Sequence, residues 1–332
     1  MTTSTTLSEH LGSVLPQADR RSLREDVIPA ILRAVADIAK TLQASQHVSL
    51  AGTANAFGDD QLNVDVASEE VMRAAIAGCP TIRTASSEED PIEKLARPGA
   101  DADAVSGEEE YTVAFDPLDG SSIIAPNWTV GTIVGIWDGR AAVGQSPSEK
   151  QIAAVVGVIG PRTTAFVALR VPGAAAPACF EVGLAGGGSS RWEVVRPVVK
   201  LAEPPFKTRY FAPANLRHAA DDERYGALIA RFIREKYTLR YCGGLVPDIV
   251  HALVKGQGVY VSPVAPGAVA KLRFLYELYP IALVVECAGG RAIDPANGAR
   301  ILDKVSVDCD GRAGLVCGTA GEVDMVKEAL LG

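Results

Sequence analysis

Tyr111-Thr112-Val113-Ala114-Phe115-Asp116-Pro117-Leu118-Asp119-Gly120-Ser121-Ser122 is the stretch on which the fold turns. A β-branched and aromatic run, read as a strand, leads straight into two carboxylates three residues apart. Pro117 stiffens the chain between them, so both can point into one site. Asp-Pro alone would read as an ordinary turn, but the apolar strand ahead and the Gly-Ser-Ser behind shift the reading to chemistry. Two carboxylates held close repel unless a cation lies between them, which makes them natural ligands for Mg²⁺, a hard ion that prefers oxygen. Gly120, Ser121 and Ser122 follow with backbone N–H groups and hydroxyls able to cradle an anion. Metal ligands beside an anion cradle point to phosphoryl chemistry.

Outward from this stretch, two acidic runs lie upstream, Ser86-Ser87-Glu88-Glu89-Asp90 and Gly58-Asp59-Asp60-Gln61-Leu62-Asn63-Val64-Asp65. Each alone is a solvated acidic face. Downstream, Glu277 sits in the apolar string Lys271-Leu272-Arg273-Phe274-Leu275-Tyr276-Glu277, where it needs either a function or a surface pairing with Lys271 or Arg273.

The pattern around these motifs predicts an amphipathic helix starting at Ser22, with Glu25 at capping-box spacing and Leu23, Val27, Ile31, Val35, Ile38 and Leu42 on one face. A second helix is predicted from Val66 to Ala77, an exposed loop from Pro91 to Glu110, and strands at 129–137, 152–159 and 163–171, with a hairpin tip at Ala185 to Ser190. Beyond Pro197 the pattern alternates. Helices are expected at 221–236, 247–255, 269–278 and 322–331, with strands near Val259 and Leu283. This gives an α/β chain of two domains, 1–198 and 199–332.

With 40 Asp and Glu against 32 Lys and Arg, the net charge is −8. Nucleic acid is therefore an unexpected partner, and an anionic substrate needs local cations or bound metal. No signal pattern or membrane-length apolar run is present, so a cytoplasmic protein with no membrane partner is expected. The six cysteines form no Cys-x-x-Cys pair and read as reduced thiols.

Taken together, the strings at 53–65, 86–90, 114–122 and 270–281 resemble, in content and order, the fructose-1,6-bisphosphatase superfamily of metal-dependent phosphatases. Phe57-Gly58-Asp59, Asn127-Trp128-Thr129-Val130-Gly131-Thr132-Ile133, Gly160-Pro161-Arg162-Thr163-Thr164, Glu235-Lys236-Tyr237-Thr238-Leu239-Arg240-Tyr241 and Leu302-Asp303-Lys304-Val305 resemble its sedoheptulose-1,7-bisphosphatase branch.

The resemblance implies a layered α/β sandwich of two domains with the site at their junction. It implies that Glu88, Asp116, Asp119, Glu277 and the Leu118 carbonyl hold two or three Mg²⁺, with Mn²⁺ an alternative. Glu89, backed by Asp65, would orient and deprotonate water; Asp59 and Asn55 would lie on a loop over the metals; Gly120, Ser121 and Ser122 would hold the reacting phosphate. Asn215, Arg240, Tyr241 and Lys271 would hold the sugar and its second phosphate, Arg240 across a subunit boundary in a homodimer or homotetramer. The expected reaction is hydrolysis of the 1-phosphate of sedoheptulose-1,7-bisphosphate. Fructose-1,6-bisphosphate is the alternative substrate and an inactive phosphosugar-binding homologue the non-enzymatic alternative. Residues 43–58 hold no cysteine, so the thioredoxin-type switch of chloroplast relatives is not expected, and Ala125-Pro126 departs from the family pattern.

Overall fold

The Tyr111–Asp119 strand is buried along its whole length. It pairs in parallel with Ile82–Ser87 on one side and antiparallel with Val130–Asp138 on the other. These strands belong to an eight-stranded sheet whose spatial order is Glu193–Arg196, Ala178–Gly183, Thr163–Leu169, Gln151–Ile159, Val130–Asp138, Tyr111–Asp119, Ile82–Ser87, Lys94–Leu95. The structure is a computed structural model and describes residues 5–15, 20–54, 58, 60–97, 99, 109–184, 192–265 and 267–332. The Ala185 to Ser190 tip and most of the 91–110 loop beyond Arg97 lie outside the described residues, as do Asn55 and Asp59.

Because side chains alternate across a strand, each strand of this sheet feeds two cores. Val113, Phe115, Val134 and Val155 face one core, with the Ile28–Ala44 and Asn63–Ala77 helices. Ala114, Ile133, Trp137 and Phe166 face the other, against the Leu245–Lys255 and Tyr279–Cys287 helices. A second sheet, in the order Thr238–Leu239, Tyr210–Pro213, Val259–Ser262, Leu315–Gly318, Arg291–Ile293, closes that middle layer. Its outer face carries Val259, Val261 and Val316 against the Glu223–Arg234 and Ala320–Leu331 helices. The result is the expected layered α/β sandwich, helices and sheets alternating through five layers.

Three local expectations fail, each for a physical reason. Ser22 does not cap the long helix: the Glu109 carboxylate accepts the Ser22 and Leu23 N–H groups at 3.0 and 3.1 Å, which removes the need for a local cap. The expected helix over 269–278 is instead a short strand, Leu272–Arg273, followed by a π-turn, Phe274–Leu278. Near Leu283 there is no strand but the Tyr279–Cys287 helix, buried from Tyr279 through Val285 between the two sheets. A helix wrapped on all sides has no polar stripe, so its sequence carries no 3.6-residue period to read.

Candidate active site

Three-residue spacing normally puts Asp116 and Asp119 on opposite faces of a strand. The register with Val130–Asp138 slips between Asp116, opposite Ile133, and Asp119, opposite Gly131. That bulge places one extra residue on the Asp side, so both acids turn to the same cavity. Pro117, which cannot donate to the ladder, sits in the bulge, and its carbonyl accepts the Thr132 hydroxyl at 3.0 Å. Gly120 follows with φ of 102°, a conformation that glycine adopts without strain, and turns the chain into Ser121–Ile124.

The cavity has a volume of about 620 Å³ and is lined by Glu88, Asp116, Leu118, Asp119, Gly120, Ser121, Ser122, Asn215, Tyr241, Lys271 and Glu277, all expected from the sequence. The Glu88 N–H bonds the Phe115 carbonyl at 3.0 Å, which ties it to the strand ahead of Asp116. Asp119 accepts the Leu245 and Val246 N–H groups at 3.2 and 2.7 Å, at the start of the middle-layer helix. Asp116 accepts Leu118 N–H at 2.9 Å, and Glu277 accepts Arg273 N–H at 2.6 Å.

Burial, and then the neighbouring charges of Glu88, Asp119 and Glu277, push the Asp116 carboxyl well above its ordinary range. Burial and then Glu88 do the same for Glu277. Asp119 is pushed up to about 6 by burial, against the pull of its two N–H partners. These acids destabilise one another's charge, and their donors are all oxygen, so the set fits a hard divalent ion by its chemistry. In the present arrangement each carboxylate is turned to a donor of the chain, and among the described residues no three His, Cys, Asp or Glu side chains converge to hold one ion.

Three expected residues lie off this cavity. Glu89 lines a separate cavity of about 670 Å³ with Gln61, Glu69 and Arg73. Burial pushes its carboxyl up to about 7, helped by the charges of Asp65, Glu88 and Glu69 and opposed by a Gln61 hydrogen bond. Asp65 is buried and accepts Leu62 N–H at 2.9 Å, and burial pushes its carboxyl up. Arg240 does not line the first cavity: it is exposed, donates to the Leu239 carbonyl at 2.7 Å and lies over the Tyr210 ring.

The sequence reading missed Arg273 as a site residue. It is buried, its guanidinium bonds Glu88, and Asp310 lies 3.5 Å from its Nε. Arg217 and His218 were also missed, although they line the cavity directly after Asn215. Asn215 has φ of 51°, a left-handed conformation that a β-branched residue would resist, and the 3₁₀ turn Leu216–Ala220 follows it. The polar run Asn215-Leu216-Arg217-His218 after an apolar strand was the available signal.

The chain matches the fructose-1,6-bisphosphatase N-terminal domain over residues 18–177 and the C-terminal domain over residues 205–331. A chloroplastic sedoheptulose-1,7-bisphosphatase of Triticum aestivum is 38% identical over 287 residues, covering 86% of this chain and 68% of the relative. A class 1 fructose-1,6-bisphosphatase of Syntrophotalea carbinolica is 33% identical, covering 93% of this chain and 92% of the relative. The solved structure of a candidate sedoheptulose-1,7-bisphosphatase from Toxoplasma gondii superposes with a TM-score of 0.83 at 33% identity over 98% of both chains. Two family matches that together span both sheets, and relatives aligned over nearly the whole length, lead to one conclusion: this chain belongs to the fructose-1,6-bisphosphatase family.

Proposed function

We propose that this sugar bisphosphatase hydrolyses the 1-phosphate of sedoheptulose-1,7-bisphosphate, giving sedoheptulose-7-phosphate and phosphate. The observation that carries the reading is the single cavity that joins four carboxylates and the Gly120–Ser122 turn to the cations Lys271 and Arg217. The acids and the turn suit a reacting phosphate, and the cations a spectator phosphate. The higher identity of the sedoheptulose-1,7-bisphosphatase relative, 38% against 33%, favours the seven-carbon sugar. Fructose-1,6-bisphosphate, which presents the same reacting end, is the second reading.

In this proposal Glu88, Asp116, Asp119, Glu277 and the Leu118 carbonyl hold two or three Mg²⁺, or Mn²⁺. Those ions, when bound, neutralise phosphoryl charge and acidify water. Glu89 accepts the proton of the attacking water. With its carboxyl at about 7 it is a usable base near neutrality, though it needs a side-chain rotation from its own cavity to reach the reacting end. The charge of Asp65 raises the basicity of Glu89, and Asp59 and Asn55 belong to the segment that completes this side. Gly120, Ser121 and Ser122 hold phosphate oxygens, while Asn215, Tyr241 and Lys271 orient the sugar and its far phosphate.

We assign the metal and reacting-phosphate sites to residues 1–198, with Glu277 completing the metal set, and the sugar site with its far phosphate to residues 199–332. The working form is a homodimer or homotetramer in the cytoplasm. Exposed Leu239 and Tyr241 on either side of Arg240 support a subunit boundary there. No helix among the described residues is long and apolar enough to cross a membrane.

Phosphate release from the two bisphosphates at equal concentration, with Mg²⁺ and with EDTA, tests the proposal. Metal-dependent release with higher kcat/KM for the seven-carbon substrate is expected. An equal or reversed preference moves the assignment to fructose-1,6-bisphosphate, and no release from either overturns the activity.

A further inference from the structure

Arg217 is a cation that no carboxylate among the described residues engages. The chain has a net charge of −8, and most of its arginines from Arg20 to Arg312 are held in ion pairs. Arg217 is exposed, lies in the 3₁₀ turn Leu216–Ala220 and lines the same cavity as the four acids. Lys271, which also lines this cavity, has no carboxylate partner among the described residues either. Beside Arg217, His218 has a buried ring nitrogen, Nδ1, with no hydrogen-bond partner among the described residues. The turn is aimed by the backbone: Asn215 takes its left-handed conformation, its carbonyl accepts His218 N–H at 2.8 Å, and its side chain reaches the Ser262 hydroxyl at 3.4 Å.

The acids elsewhere in the cavity repel one another, and among the described residues the cation that ion-pairs with them is Arg273, at Glu88. A bisphosphate entering this space needs positive charge away from that acid set, in a form that grips several oxygens. A guanidinium offers a planar fork for two phosphate oxygens, whereas an ammonium offers a point charge. Arg240, the other candidate fork, lies outside the cavity of its own chain.

We infer that Arg217 supplies, from within the same chain, the guanidinium that fixes the second phosphate, with Lys271 beside it. Bisphosphate recognition is thereby built into each subunit, whatever a neighbour adds through Arg240. The inference rests on the proposed sugar-bisphosphate activity but is tested without turnover.

The probe is sedoheptulose-7-phosphate, which carries only the second phosphate, titrated calorimetrically into the full chain. Arg217→Gln should weaken its binding about 10- to 100-fold, the loss of a charge-assisted fork. Arg217→Lys should recover part of that loss, because the charge returns without the fork. Arg217→Gln should also cost more than Arg240→Gln. Circular dichroism of each variant separates a binding loss from unfolding, and the lysine variant gives the second reading if the glutamine variant is unstable. Binding within twofold of the parent in folded Arg217→Gln, a parent that does not bind the probe, or the reverse ranking of the two arginines would overturn the inference. A parent that binds the probe through Arg217 yet releases phosphate from neither bisphosphate would support the subsite and remove the proposed activity alone.

Discussion

Gly131→Ala is expected to damage catalysis and stability together, through a contact that contains no catalytic group. Gly131 stands opposite Asp119 in the sheet, and a Cβ there would lie 2.4, 2.5 and 2.7 Å from Val246 Cβ, Cγ2 and Cγ1. Ordinary carbon contacts are about 3.5–4.0 Å. Val246 is β-branched, with a stiff side chain in a helix, so the strain falls on the helix itself. Restoring contact moves the first turn of Leu245–Lys255 away by about 1 Å. The Val246 N–H to Asp119 bond, now 2.7 Å, then opens to a length that is no longer a hydrogen bond, and the 3.2 Å bond from Leu245 goes with it.

The overpacking costs roughly 1–3 kcal/mol, and losing charge-assisted bonds to a buried carboxylate adds roughly 1.5–3 kcal/mol. A displacement of this size at a site group costs up to about 100-fold in rate. Urea unfolding and kcat on the same preparation measure both effects. The control is Gly321→Ala, where an added Cβ meets nothing within 4 Å and should be neutral or slightly stabilising. If Gly131→Ala keeps its unfolding midpoint and its kcat within twofold, the helix–strand contact does not aim Asp119, and the account of the site's geometry is wrong.

Glu89→Gln should lower kcat by about 100-fold or more with little change in KM, and near-normal turnover would remove Glu89 from the base role. Glu109→Ala takes away the acceptor of two helix N–H groups and of the Tyr111 hydroxyl, 2.6 Å away, and should destabilise by about 1–2 kcal/mol in urea titration; an unchanged midpoint would show that water replaces it at no cost. The Arg20 hydrogen bonds hold the Asp138 carboxyl below its ordinary range, so their contribution is complete above about pH 4 and fades as the pH falls through the folded-state value. Asp138→Asn should therefore be less stable than the parent at pH 7, with the gap closing in acid; a gap independent of pH would assign the effect to packing.

The first sheet was legible because its strands are β-branched runs bounded by Gly, Pro and charge, and the chemistry of Asp116 and Asp119 was legible from the Gly-Ser-Ser behind them. The bulge was not legible. Pro117 hints at it, but the slip is a property of two strands, and only the partner register shows which residue is the extra one. A surface pairing of Glu277 with Lys271 or Arg273 stayed open beside its reading as a metal ligand, because a helix was expected there. The strand and π-turn that form instead bury Glu277 and Arg273, turning the Arg273 guanidinium to Glu88 and its N–H to Glu277. Arg217 was passed over because the string after the apolar strand marks a loop but not a cation left unpaired: pairing depends on what the fold leaves nearby.

The same dependence limits the meaning of a boundary near residue 198. The chain leaves one sheet after Arg196 and enters the next at Tyr210, so the strands divide there. The middle core does not. Ala114, Ile133, Trp137 and Phe166 of the first sheet pack with Leu275, Tyr279 and Leu283, and these pack in turn with Ala212, Tyr260 and Leu315 of the second. Asp119 belongs to the first sheet by sequence, yet both its hydrogen bonds come from the helix of the later half, as does the Arg273 guanidinium that meets Glu88. An isolated first half would expose one face of its sheet to water and leave these acids without their donors. The acids of one half and the cations Arg217 and Lys271 of the other come to a single cavity because both halves must cover the same apolar layer. The free energy that joins the sheets is thus also what assembles the site.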